Sequence, residues 1–99
     1  MRKRVVITGI GAITPVGNTA SETFSNLIKG KSGIGPITHF DTTNFKVKIA
    51  GEIKDLNFED YLDKKEIKRS DRIMVLGTIA AMQAYEDSKL KEEDYDPYR

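Results

Sequence analysis

Residues 4–17 read Arg-Val-Val-Ile-Thr-Gly-Ile-Gly-Ala-Ile-Thr-Pro-Val-Gly, and we expect the rest of the chain to be organised around this stretch. It contains a short apolar run at residues 5–7 that is rich in β-branched side chains and ends near glycines. A run of that length and composition predicts a strand buried on both faces. Gly9 and Gly11 follow, and glycine lets the backbone turn where a Cβ would clash. The stretch therefore predicts a core strand followed by a glycine turn.

A glycine turn after a strand is also the beginning of a dinucleotide-binding fingerprint, whose spacing is Gly-x-Gly-x-x-Gly. Gly9 and Gly11 supply the first two positions, but Thr14 stands at the third. Pro15 follows, so no helix can leave the turn with its amides free to bind a pyrophosphate. We therefore rank nucleotide binding well below a structural turn.

The composition of the 99 residues excludes several classes of function. Sixteen basic residues nearly balance 15 acidic ones, and a net charge of +1 argues against nucleic acid as a partner. The chain has no cysteine, which rules out a disulfide framework, a thiolate metal site and a cysteine nucleophile in these residues. No apolar run approaches the roughly 20 residues that span a bilayer. We expect no membrane partner, no metal and no cofactor, and a cytoplasmic location.

The middle of the chain predicts one helix, one connector and one strand. Thr19 and Glu22 have the spacing of a capping box at a helix start, and Gly30 is suited to end that helix. Residues 31–36 are predicted to be a glycine-rich connector. Residues 46–53 alternate in polarity and predict a half-buried strand. Its predicted inner face comprises Val47, Ile49, Gly51 and Ile53, and its outer face comprises Lys46, Lys48, Ala50 and Glu52.

The last third of the chain predicts two helices. Asp63 is suited to cap a short basic helix, with Glu66 three residues on. A longer helix is predicted from about Ser70 to Lys89, and it is apolar nearly all round between residues 73 and 85. Such a helix is typically buried on all sides, and 99 residues offer too little to surround it. The pattern therefore predicts further chain after Arg99, a partner subunit, or both.

The string at residues 5–17 resembles the opening of the β-ketoacyl-acyl carrier protein synthases, the condensing enzymes of fatty acid synthesis, and is most similar to their long-chain elongating type. The resemblance continues in the same order through most of the chain. Its further segments are residues 30–37, 39–42, 47–53, 60–66 and 69–72. Ser70 departs from the family pattern, in which an apolar residue is usual.

The resemblance implies an α/β chain that is the N-terminal piece of a thiolase-like layered αβαβα fold. Residues 1–99 would be the first part of a ketosynthase N-terminal domain that continues past Arg99, in an enzyme that is a homodimer. Such an enzyme condenses acyl thioesters with malonyl-acyl carrier protein by decarboxylative Claisen condensation. The family uses a cysteine and two histidines, all of them downstream of the matched region. We therefore expect no catalytic residue in this chain.

A cluster of basic residues is the most informative candidate site. Four of them have the i, i+3, i+4 and i+7 spacing that shares one side of a continuous helix, namely Lys65, Lys68, Arg69 and Arg72. A solvated basic face is the simplest interpretation. The resemblance instead implies that Lys65, Lys68 and Arg69 form part of the docking patch for acyl carrier protein, which is acidic.

One alternative from another functional class remains open from the sequence. The chain could be a stand-alone, non-catalytic module that binds an acidic carrier protein through the basic helix face.

His39 is the only histidine, and it has no second metal ligand or nucleophile near it in the sequence. We therefore expect a structural or surface role for His39.

Overall fold

The computed structural model describes residues 2–98. Met1 and Arg99, where the first predicted segment begins and the predicted tail ends, lie outside the described residues. Among residues 2–98 there are three helices and two short strands: α1 (Ala20–Ile28), β1 (Ile34–Pro36), β2 (Ile49–Gly51), α2 (Lys64–Arg69) and α3 (Arg72–Ser88). Single 3-10 turns lie at Phe58–Asp60 and Glu92–Asp94.

The apolar run at residues 5–7 does not form the predicted buried strand. Residues 2–13 have no regular secondary structure, and Val5 and Ile7 are 92% and 84% exposed. A strand needs a neighbour to receive its ladder hydrogen bonds, and no described residue pairs with this run. The first backbone pairing is a tight turn in which Thr14 and Gly17 exchange hydrogen bonds of 2.8 and 3.2 Å. The strand prediction is therefore wrong for this chain as described.

Gly9 and Gly11 serve a close contact with α3 rather than a glycine turn. Neither has a positive φ, whereas Gly30 does. A Cβ on Gly9 would lie 2.2 Å from the carbonyl oxygen of Ala84, and one on Gly11 would lie 1.9 Å from that of Ala80. Only glycine lets the N-terminal stretch lie this close to the helix backbone. The glycines therefore fit the stretch against one side of α3.

Helix α1 has the ends that the sequence predicts. The Thr19 hydroxyl accepts a hydrogen bond of 3.1 Å from the Glu22 backbone N–H and so caps the first turn. Gly30 follows the helix with φ at 74°. The backbone N–H of Lys31 then donates to the carbonyl of Asn26 at 3.0 Å, which satisfies a free carbonyl of the last turn.

The two strands correct two predictions. Residues 34–36, predicted as part of a connector, form β1, which pairs antiparallel with β2, and Ile34 lies opposite Gly51. Of the predicted strand at 46–53, only residues 49–51 form a strand, which is β2. The predicted inner residues Val47 and Ile49 are 66% and 57% exposed. Glu52, predicted on the outer face, is the buried residue instead. The alternation gave the wrong face because segment 38–39 folds over the Glu52 carboxylate and provides hydrogen-bond donors for it.

Helix α3 begins and ends within two residues of its predicted bounds. Its residues Val75 and Ile79 are the buried hydrophobic side chains of the described part of the chain. Ile73 and Met74, by contrast, are 79% and 57% exposed. Residues 2–98 therefore cover only one side of the helix, which agrees with the expectation that these residues are too few to surround it. Along the described chain, no helix combines the length and the hydropathy that a membrane span requires.

Candidate docking face on a short basic helix

Capping and charged residues determine where helix α2 begins and ends. The Asp63 carboxylate accepts a hydrogen bond of 2.9 Å from the Glu66 backbone N–H at the first turn. The helix ends at Ser70, whose backbone is extended at φ −110° and ψ 144°. Lys68 and Arg69 lie in the last turn, where positive charge complements the helix dipole. Local chemistry therefore specifies both ends of α2, as the sequence predicts at Asp63.

Helix α2 brings together the three basic residues that the resemblance singles out. Lys65, Lys68 and Arg69 stand at i, i+3 and i+4 of one helix, which places them on the same side. All three side chains are exposed. None of them forms an ion pair with a carboxylate of residues 2–98. The basic face, as we name these three residues, therefore presents uncompensated positive charge to solvent.

Arg72 does not belong to the basic face. The extended backbone at Ser70 interrupts the helix, and Arg72 begins α3. Its guanidinium carbon lies 5.3 Å from the centroid of the Phe58 ring, and its Nη2 donates to the Ile53 carbonyl at 3.4 Å. The i+7 placement assumed one continuous helix, so the prediction that all four basic residues share one side is wrong for Arg72.

Two backbone amides of the glycine stretch bind side chains of α3 and are not free to bind a phosphate. The backbone N–H of Ile10 donates to Asp87 Oδ2 at 2.9 Å, and that of Ala12 donates to Gln83 Oε1 at 3.2 Å. The Gln83 amide in turn donates to the Asn18 carbonyl at 2.6 Å. These amides already have protein partners, so the packing supports a structural role and not nucleotide binding.

Gln83 is a residue whose role sequence reasoning missed. It joins α3 to both ends of the segment 12–18 through its amide oxygen and nitrogen. The available signal was a long polar side chain within an otherwise apolar stretch of helix. Its partners could not be found from the sequence, because 71 residues separate Gln83 from Ala12.

His39 forms a polar cluster with Glu52 and Thr38. The Glu52 carboxylate accepts hydrogen bonds from the Thr38 N–H at 2.9 Å, the Thr38 hydroxyl at 3.2 Å and the His39 N–H at 3.3 Å. His39 Nε2 lies 3.1 Å from Glu52 Oε2. Burial raises the pKa of Glu52, but the Thr38 hydrogen bonds and the His39 charge outweigh it and hold the pKa below its ordinary value. The cluster links the segment after β1 to the end of β2.

No group of three or more histidine, aspartate or glutamate side chains in the described chain is placed to hold a metal ion. The absence of cysteine leaves the chain without the thiol that a condensing enzyme acylates.

Three known proteins that are similar to this chain carry the same name. The chain is 47% identical over 89 residues to a 3-oxoacyl-[acyl-carrier-protein] synthase 2 of Synechocystis, with 90% of this chain and 21% of the relative covered. It is 47% identical over 92 residues to a synthase of the same name from Staphylococcus aureus, with 93% and 22% covered. A third, from Vibrio cholerae, is 44% identical over 90 residues, with 91% and 22% covered. The chain thus spans about a fifth of the length of these relatives.

The fold has a solved counterpart. The chain superimposes on the ishigamide ketosynthase/chain length factor with a TM-score of 0.85 and 34% sequence identity, covering 95% of this chain and 23% of the other. It therefore has the α/β thiolase-like fold of the corresponding part of a ketosynthase. The protein family described as "Beta-ketoacyl synthase, N-terminal domain" matches this chain over residues 2–99. The chain belongs to the β-ketoacyl synthase family, as part of its N-terminal domain.

Proposed function

We propose that the polypeptide carrying this chain is a β-ketoacyl-acyl carrier protein synthase that lengthens acyl chains by decarboxylative Claisen condensation. The support is family membership together with the names of the curated relatives. In this reaction an acyl group held as a cysteine thioester is attacked by the carbanion that a malonyl thioester forms as it loses carbon dioxide. The carbon–sulfur bond of the thioester breaks, the cysteine leaves as its thiolate, and the product is longer by two carbons.

The proposal gives these 99 residues no part in bond making. They contain no cysteine and one histidine, so the acylated residue and the paired histidines would lie elsewhere in the polypeptide. The chain would supply the first part of a layered αβαβα domain in a cytoplasmic homodimer. A second subunit or a further layer would cover the exposed side of α3, where Ile73 and Met74 now face solvent.

The role of this chain in the reaction would be to dock acyl carrier protein on the basic face. The single observation that carries this part is that Lys65, Lys68 and Arg69 share one side of α2, exposed and without a carboxylate partner in residues 2–98. A small positive patch on a nearly neutral chain attracts an acidic protein quickly and weakly, and salt screens the attraction. Such binding suits a carrier that must dissociate after each transfer.

Charge reversal tests the docking role on the polypeptide as its source cell makes it. The variant Lys65→Glu/Lys68→Glu/Arg69→Glu should bind acyl carrier protein at least about tenfold more weakly at low salt, because three exposed attractions become repulsions. The matched control is Lys29→Glu/Lys31→Glu/Lys46→Glu, which changes the net charge equally at exposed positions outside α2. Unchanged affinity in the first variant would contradict the docking role.

The enzyme role has its own test. An antibody to this segment would capture the polypeptide from its source cell for intact-mass measurement and for a condensation assay with malonyl- and acyl-carrier protein. A mass several times that of the chain, together with carbon dioxide release and a product two carbons longer, is expected. A mass equal to the 11.1 kDa of these residues would contradict condensation by this polypeptide alone and leave either the non-catalytic binding module or one subunit of a split enzyme.

A further inference from the structure

Helix α2 is too short to hold its own orientation. It has six residues and no buried side chain, and Ile67 is its single apolar residue, half-buried. Helices shorter than about 12 residues are marginal in water, so most of their stability comes from contacts outside the helix. The direction in which the basic face points therefore depends on contacts outside the helix, including those that hold the two ends of the segment that carries α2.

Those two ends meet in one contact. Phe58 begins the 3-10 turn before α2, and Arg72 is the first residue of α3 after it. The Arg72 guanidinium carbon lies 5.3 Å from the Phe58 ring centroid, within the roughly 6 Å range of a cation–π interaction. Arg72 Nη2 also donates to the Ile53 carbonyl at 3.4 Å, further back along the chain. This contact joins the residues that flank the two ends of segment 59–71.

We propose that Arg72 is a positioning residue for carrier-protein docking: its guanidinium, held on Phe58 and the Ile53 carbonyl, closes segment 59–71 and fixes the direction of the basic face. This inference rests on the docking function proposed above. It assigns Arg72 a role different from that of Lys65, Lys68 and Arg69, because the Arg72 guanidinium contacts Phe58 and the Ile53 carbonyl of the chain itself. It also assigns Phe58, an uncharged residue, a part in binding an acidic protein.

Substitution of Phe58 separates positioning from direct charge attraction. Phe58→Leu removes the ring and leaves every charge in place. We expect it to weaken carrier-protein binding about two- to fivefold, the range that an exposed cation–π contact supports, while the slope of affinity against salt stays unchanged. Phe58→Tyr keeps the ring and should retain normal affinity. Phe40→Leu is the matched control, because Phe40 is an exposed phenylalanine outside this segment.

Two further measurements identify the mechanism. Arg72→Gln combined with Phe58→Leu should weaken binding no more than the stronger single variant, because both remove the same contact. Backbone amides of residues 64–69 should exchange hydrogen faster in Phe58→Leu without any partner present, whereas those of β1 and β2 should keep their wild-type exchange and show that the fold is intact.

The outcomes distinguish this inference from the docking function itself. If charge reversal of the basic face weakens binding but Phe58→Leu behaves like Phe40→Leu, positioning by Arg72 is overturned and docking stands. If Arg72→Gln weakens binding and flattens the salt slope while Phe58→Leu does neither, Arg72 is a direct charge contact and the inference fails. If charge reversal has no effect, docking fails, and unchanged amide exchange at residues 64–69 in Phe58→Leu would also overturn the positioning role.

Discussion

Replacing Gly11 by alanine tests the contact between the N-terminal stretch and α3. The new Cβ would lie 1.9 Å from the Ala80 carbonyl oxygen and 2.8 Å from the Ala84 nitrogen. Both are backbone atoms of a helix, so neither can move aside as the end of a flexible side chain would. Ordinary van der Waals contact begins near 3.4 Å, so the stretch would have to retreat by about 1.5 Å.

A retreat of that size has a calculable cost. It would break the hydrogen bond of 3.2 Å between the Ala12 N–H and Gln83 Oε1, and it would stretch the bond of 2.9 Å between the Ile10 N–H and Asp87. A neutral hydrogen bond contributes about 0.5–1.5 kcal/mol, and one to a charged group about 1.5–3 kcal/mol. Because the Asp87 bond is exposed, we take the lower end for it and expect a loss of about 2–3 kcal/mol in the free energy of unfolding.

Urea unfolding of the polypeptide as its source cell makes it measures this loss, as a lower midpoint at an unchanged m-value. The matched control is Gly77→Ala in α3, where a Cβ would meet no described atom within 4 Å. Alanine has the higher helix propensity, so the control should be neutral or gain up to about 1 kcal/mol. A loss below about 0.5 kcal/mol in Gly11→Ala, the scatter of ordinary surface substitutions, would refute the close contact.

Two other substitutions test the polar contacts. Gln83→Leu should lower the free energy of unfolding by about 1–3 kcal/mol because it removes partners of part-buried backbone groups, and an unchanged urea midpoint would contradict this linking role. Glu52 has a lowered folded-state pKa, so its stabilisation is present above the ordinary glutamate pKa and is lost as pH falls through the folded value. In wild type the free energy of unfolding should fall as pH drops below about 4.3, and Glu52→Gln should make this fall smaller. If the variant and wild type gave identical curves, the Glu52 cluster would not be the cause of the fall.

Local structure was predictable where it depends on neighbouring residues. The caps at Thr19 and Asp63 were predicted because a cap needs only an acceptor side chain three residues before a backbone N–H. Gly30 was predicted for a similar reason, since only glycine adopts a left-handed conformation without strain. Polarity alternation failed at Glu52 because it assumes that apolar side chains mark the inner face. Donors from Thr38 make a buried carboxylate more favourable there.

The candidate site was likewise predicted correctly only where it depends on neighbouring residues. The spacing of Lys65, Lys68 and Arg69 was enough to place them on one side of a helix, because three and four residues are close to one helical turn. The same rule failed for Arg72, three residues further on, because Ser70 is extended and a new helix starts there. Spacing rules hold only while the backbone keeps one conformation. Because the helix is interrupted at Ser70, Arg72 lies beside Phe58 and is not part of the basic face.

Residue identities and their spacing were enough to identify the family, the absence of a catalytic thiol in these residues, the capped ends of α1 and α2, and the basic face. All of these follow from residue identity or from contacts within one helical turn. Packing over long separations, by contrast, places Gly11 against α3, joins Gln83 to Ala12 across 71 residues, and puts Arg72 beside Phe58. Contacts over such separations depend on how whole elements pack, and packing selects among partners that spacing in the sequence cannot distinguish.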